Sequence, residues 1–352
     1  RKDMEAKKKY SKDEPIDNPY KENFISKSLV GDNTSSLSDG AGVRIAIIDA
    51  PIDIHALGMQ QTTTHGSKVS HVIDCTEGVE TMLFDSALLD DNHVLGAAGN
   101  IIKIHPSWIN PSGIWKTGFK RLAELASGVV WDQIQAGYTK KKQLMYTNLD
   151  ILPKTEVDAE PSSKSLDIAE SDHKKRFVDS LAQIEKIIGL KYDPLIQVLA
   201  FFDGDDWNCV VGFFDQDLSQ LTPCKEYEKS GMNILLIPEL ELYLNFNIWD
   251  GGAKVSLTIS GNHGTHVASI AAGNCIEDTD LNGIAPGAEL ISLNIYDPAL
   301  SGMESNLSIS RALQLAREYN CDLINMSFSE DGRFGNNCEI SRAFHTLLHE
   351  GQ

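Results

Sequence analysis

The alternation near one end of this 352-residue chain limits its fold more than any other feature. LISLNIY (290–296) is an apolar, β-branched run, and CDLINMSFS (321–329) is a second one. Between them LSISRALQLAREY (307–319) places Leu307, Ile309, Ala312, Leu313 and Ala316 at the three- and four-residue spacing of an amphipathic helix, and EISRAFHTLLHEG then repeats that spacing. A strand joined to the next strand by a helix implies parallel pairing with right-handed crossovers, so this part of the chain reads as an α/β layered sheet. Far upstream, VRIAII (43–48) has the same character and stops at Asp49, with Pro51 close behind. It reads as a buried strand with a carboxylate at its carboxyl end, the edge where open α/β sheets bind ligands. Taken alone, Asp49 could equally cap the turn that follows.

The second constraint is GNHGTHVASIAAG (261–273). Its small residues let a helix pack tightly against its neighbours, and Gly273 suits a left-handed C-cap. His263 falls in the first turn. The spacing of His263 and His266 also fits a pair of metal ligands, but no third ligand stands near, so no metal site is expected. As a general base, His263 needs an orienting carboxylate and a nucleophile, and Asp49 is the candidate for the first.

Charge and composition exclude several classes. A formal charge of −19 argues against nucleic acid and against anionic membrane surfaces. Six scattered cysteines without a CxxC pair indicate neither a zinc knuckle nor a disulfide framework, and fit reduced thiols in the cytosol. The first residues, RKDMEAKKKYSKDEP, lack the apolar stretch of a signal peptide, and no eighteen apolar residues run together. No GxGxxG or GxxxxGK[ST] follows a strand, so nucleotide binding has no support and no cofactor is expected.

Residues 1–40 read as a polar N-terminal arm, 41–105 as the first part of a catalytic domain, 106–252 as an α+β insert, and 253–352 as the second part. Within the insert the spacing predicts helices over FKRLAELASGVVWDQI and HKKRFVDSLAQIEKIIGL, with PKTEVDAEPSSKS (153–165) as a linker between them. LIQVLAFF, DGDD and WNCVVGFF read as a hairpin, and further strands lead to the histidine segment.

The motifs together resemble the subtilisin-like serine peptidases. IAIIDAPID matches their aspartate segment and HGTHVA their histidine segment, in the Asp-then-His order, and NGIAPGAELISLNIYD (282–297) and LINMSFSE (323–330) continue the pattern. LGMQ (57–60), HPSWINPSG (105–113) and the long insert narrow the resemblance to the large cytosolic branch that removes tripeptides from free N-termini. The resemblance implies a parallel sheet with helices on both faces, interrupted between Asp49 and His263 by the insert. It also implies peptide substrates, no cofactor and a homo-oligomer. Glu304 and Glu330 match glutamates that hold the substrate's amino group in that branch, although Glu304 could instead cap the 307–319 helix and Glu330 could be a solvated loop acid.

Two departures stand out. The family's nucleophilic serine lies in a GTS-type segment and its oxyanion-hole asparagine precedes that segment. No GTS or GxSxG occurs in these 352 residues, so the chain by itself is expected to be inactive. Ala50-Pro51 replaces the usual Thr-Gly or Ser-Gly after the aspartate, which removes a hydroxyl and stiffens the backbone, with a misaimed Asp49 carboxylate as the expected result. A degenerate pseudo-peptidase, or an assembly or binding subunit built around the insert, is the alternative.

Overall fold

The computed structural model describes residues 38–126, 128–150, 193–300 and 302–328, and every element below belongs to the unit that begins at Gly40. The linker, the second insert helix, the last helix and Glu330 lie outside the described residues, as does the arm up to residue 37. In chain order the strands begin with β1 (Arg44–Asp49), β2 (Val69–Asp74), β3 (Glu80–Met82), β4 (Phe84–Ser86), β5 (Leu88–Asp90), β6 (His93–Leu95), β7 (Ile101–Lys103), β8 (Trp115–Arg121) and β9 (Leu195–Phe202). They continue with β10 (Trp207–Phe213), β11 (Cys224–Lys225), β12 (Ile234–Ile237), β13 (Leu242–Trp249), β14 (Lys254–Ile259), β15 (Glu289–Asn294), β16 (Tyr296–Asp297), β17 (Met303–Glu304) and β18 (Leu323–Met326). The helices are α1 (Leu122–Leu125), α2 (Gly128–Asp150), α3 (Tyr227–Ser230), α4 (Asn262–Ala272) and α5 (Asn306–Glu318).

Four strands form a parallel sheet in the order β18-β1-β15-β2. Strand alternation assigns its two faces. Ile45 and Ile47 join Val69, Leu290 and the α4 residues Ala268 and Ala272 in one core. Ala46 and Ile48 join Ile291, Leu293 and the α5 residues Ile309, Ala312, Leu313 and Ala316 in another. With a helix against each face, β1 is apolar at every position between Arg44 and Asp49, as expected of a doubly covered parallel strand. Each fully buried aliphatic side chain adds roughly 1.5–3 kcal/mol.

The remaining strands are antiparallel. One sheet runs β11-β10-β9-β8-β4 and another β12-β13-β14-β3, and their facing side chains share a core with Leu122, Leu125 and Ile134. The β9–β10 hairpin forms as expected, with Phe202 opposite Trp207. The helix expected from Phe119 does not start there. β8 runs through Arg121, and its pairing with β9 along Lys116–Arg121 overrides the local helical spacing, while β4 pairs only with Trp115–Thr117. Helix resumes only at Leu122 and again at Gly128.

β2 is an edge of the parallel sheet, and side chains of the antiparallel region cover it. Asn245 and Asn247 donate to the Val72 carbonyl at 2.8 and 3.1 Å, and the Tyr227 hydroxyl donates to the Val69 carbonyl at 2.8 Å. These bonds satisfy an edge that would otherwise invite another strand.

Candidate active site

Asp49 ends β1, fully buried, and His263 is the second residue of α4. Their side chains meet: His263 Nδ1 lies 2.7 Å from Asp49 Oδ1. A carboxylate only accepts, so Nδ1 carries the proton of this bond, and in the neutral imidazole the lone pair is then on Nε2. The Ala50 amide also donates to Asp49 Oδ1, at 2.6 Å. The misaimed carboxylate expected from Ala50-Pro51 is therefore not found, because the backbone amide after Asp49 and the imidazole fix one oxygen between them. Oδ2 is buried and has no hydrogen-bond partner among the described residues.

The HGTH segment shows why its small residues are needed. A Cβ on Gly264 would come within 1.9 Å of the Ala50 carbonyl oxygen, so only glycine lets the start of α4 press against the end of β1. The Thr265 hydroxyl donates to the Gly261 carbonyl at 2.7 Å and accepts from the Asp53 amide at 2.8 Å, and the Gly261 amide donates to the Pro51 carbonyl. His266 is exposed on the outer side of the helix. Gly273 does not adopt the left-handed C-cap expected from sequence: its φ is −55°. Its small size serves close packing instead, since a Cβ there would come within 2.8 Å of the Ser269 carbonyl oxygen.

A cavity of about 330 Å³ opens beside the imidazole. His263, Asn294, Thr258 and Tyr296 line its polar side, and Val79, Leu125 and Val130 belong to its apolar wall. The Tyr296 ring lies 6.4 Å from that of His263. Burial raises the Tyr296 hydroxyl above its ordinary pKa, and the negative charges of Asp49 and Glu304 add to the shift. Glu304 stands opposite Tyr296 in the β16–β17 ladder. It does not cap α5: Ser305 does, accepting from the Ser308 amide at 3.0 Å in a reciprocal capping box. Among the described residues the Glu304 carboxylate has no hydrogen bond or ion pair. The structure thus brings Asp49, His263 and Glu304 to the carboxyl edge of the parallel sheet.

The subtilase family (peptidase S8) matches residues 40–348. The chain belongs to the subtilase family. Among curated relatives, this subtilase is 34% identical over 307 residues to tripeptidyl-peptidase 2 of Oryza sativa subsp. japonica and 31% identical over 308 residues to that of Arabidopsis thaliana. Each match covers 83% of this chain and 22% of the relative, so the chain spans about a fifth of their length. A crystal structure of tripeptidyl peptidase 2 superposes with a TM-score of 0.67 at 24% identity, covering 88% of this subtilase and 25% of that chain, and so shows the same fold.

Sequence reading passed over Asn294, Thr258 and Asp74. Each is a polar residue in or at the end of an apolar run: LISLN, VSLTI and VSHVID. The signal was present, but no local pattern says that these three meet.

Proposed function

We propose that this chain carries the aspartate–histidine half of a serine-peptidase centre in a protein that releases tripeptides from the free N-termini of oligopeptides. Asp49 holds His263 in the Nδ1–H tautomer, and His263 Nε2 takes the proton of a serine hydroxyl. The 2.7 Å bond from a cleft-lining imidazole to a fully buried carboxylate, at the carboxyl edge of a parallel sheet, carries this reading.

Glu304, with Glu330, binds the substrate's ammonium group and sets the distance from the N-terminus to the scissile bond. Its unpaired carboxylate across from Tyr296 supports this role. A homo-oligomer, a cytosolic location and the division into catalytic parts 41–105 and 253–352 around the insert 106–252 go with the same reading. With no GTS or GxSxG serine in its 352 residues, the chain by itself is expected to turn over no peptide and to take no label from a fluorophosphonate.

Calorimetric titration of the 352-residue chain with a tripeptide amide, free or N-acetylated, tests the amine recognition. Charge-assisted hydrogen bonds to the ammonium predict about tenfold or greater loss on acetylation. Glu304→Gln should shrink that difference, because acetylated peptide has no cation for the altered side chain to miss. Equal affinity for both peptides would reduce the reading to a peptidase of unspecified cleavage position.

A further inference from the structure

Asp49, Asn294 and Asp74 end three adjacent strands in register: Asp49 pairs with Asn294, and Asn294 with Asp74. Asp74 is buried and takes no part in the site just described, yet its carboxylate accepts four hydrogen bonds. Oδ1 accepts from the Thr76 amide and hydroxyl, both at 2.7 Å. Oδ2 accepts from the Thr258 hydroxyl at 2.8 Å and from Asn294 Nδ2 at 2.6 Å.

The two partners of Oδ2 are both cavity-lining residues. Thr258 lies near the end of β14, just before the turn into α4 and His263. Asn294 ends β15 and, through Oδ1, accepts from the Tyr296 amide at 3.0 Å, shaping the corner that presents Tyr296 and, across the ladder, Glu304. A single oxygen therefore joins the segment leading to the histidine to the segment leading to the proposed amine-binding wall.

We propose that Asp74 is a positioning residue, whose Oδ2 clamps the β14–α4 junction to the β15–β16 corner and so sets the spacing between His263 and the Tyr296–Glu304 wall. The clamp stands on the hydrogen bonds alone; only its purpose rests on the peptidase reading.

Burial raises the Asp74 carboxyl to about 6, with the donors from Asn294, Thr76 and Thr258 pulling the other way. The partners on β13, β14 and β15 are neutral: Asn247, whose Oδ1 accepts from the Asp74 amide, Thr258 and Asn294. The charges around this strand end are Arg311 of α5, Lys120 of β8, and the carboxylates Glu77, Glu80 and Asp297, with the Cys75 thiol adjacent. Either threonine hydroxyl can turn to accept from a protonated Asp74, so the neutral acid keeps a full set of partners. A carboxyl raised in the closed junction relative to the open one favours closure when protonated. Closure is strongest below the ordinary carboxylate range and weakens as pH rises through about 6.

Hydrogen exchange measured by mass spectrometry on the 352-residue chain tests the clamp. In Asp74→Asn the amide cannot accept from all four donors. Exchange over 258–263 and 294–300 should then rise together, by about tenfold or more, while β9 and β10 keep their rates. In the unsubstituted protein, exchange corrected for its intrinsic pH dependence should rise in both segments between about pH 5 and about 7.5, and Asp74→Asn should abolish that rise. Should Asp74→Asn fail to fold, Thr258→Val removes one donor at similar volume and should loosen both segments by a smaller factor. The proposal is overturned by unchanged protection in Thr258→Val with no pH response in the unsubstituted chain, by loosening that reaches β9 and β10 equally, or by a response in only one of the two segments.

Discussion

The parallel sheet and the antiparallel region both bury apolar strands on two faces, but they place their polar groups differently. In the parallel sheet every strand points the same way, so the residues that stop the apolar runs gather on one edge: Asp49, Asn294 and Asp74 are neighbours in register. In the antiparallel region successive strands reverse, and the charges that end them scatter to separate turns. Asp203 and Asp206 of the β9–β10 turn meet Lys225, each at 3.1 Å, while Lys254 meets Glu80 and Asp250 beside another turn. Like-directed strands concentrate chemistry, whereas alternating strands build a wall and a core. In any longer in-frame form that cleaves peptides, substitutions on the parallel edge should therefore act on reaction rate, and those in the antiparallel region on stability.

The largest effect is expected at His263. In any longer in-frame form of this protein that cleaves peptides, His263→Ala should lower kcat by several orders of magnitude, on the order of 10⁴ or more, with the melting temperature nearly unchanged. His266→Ala, on the exposed face of the same helix, should stay within about tenfold. A His263→Ala enzyme that retains most of its rate would remove the histidine from the chemistry.

Phe246 tests the other side of the contrast. It is buried in the core shared by the two antiparallel sheets, and Phe246→Ala should cost about 3–5 kcal/mol of unfolding free energy in urea titration. A cost below about 1 kcal/mol would mean that this core is not the main support of the wall. Tyr227→Phe probes the docking between the regions. Losing the hydroxyl bond to Val69 should cost about 1 kcal/mol, and no loss would show that the β2 edge does not need that bond.

The smallest effect belongs to the β9–β10 turn. Backbone amides, first that of Asp206 and then that of Asp205, hold the Asp203 carboxyl well below its ordinary range, with Asn208 and Lys225 assisting. A depressed carboxyl contributes stability above its unfolded pKa of about 4 and loses it as pH falls further. Lys225→Met should cost under about 1 kcal/mol near neutral pH, since both partners are partly exposed. A larger loss would show that charge pairing, and not apolar burial, holds the turn.

Local chemistry made much of this protein legible in its sequence. An apolar β-branched run halted by Asp49, the three- and four-residue spacing of α5, the Asp203–Asp206 turn between two apolar strands, and the small residues of HGTH each describe a structure that forms over a few neighbouring residues. Where a neighbour in space outweighed neighbours in sequence, the reading failed. Phe119 and its surroundings have helical spacing but lie in β8 because β9 pairs with them as far as Arg121. Gly273 is small because α4 packs closely there, with no left-handed turn. The sequence by itself determined which residue types end the strands and begin the helix, because side-chain size and backbone preference are local properties. Only the tertiary structure decided that the Asp49 carboxylate meets His263 despite Ala50-Pro51, that Ser305 and not Glu304 caps α5, and that Asp74 joins Thr258 to Asn294. Those depend on strand register and on contacts between residues distant in the chain, which no local pattern encodes.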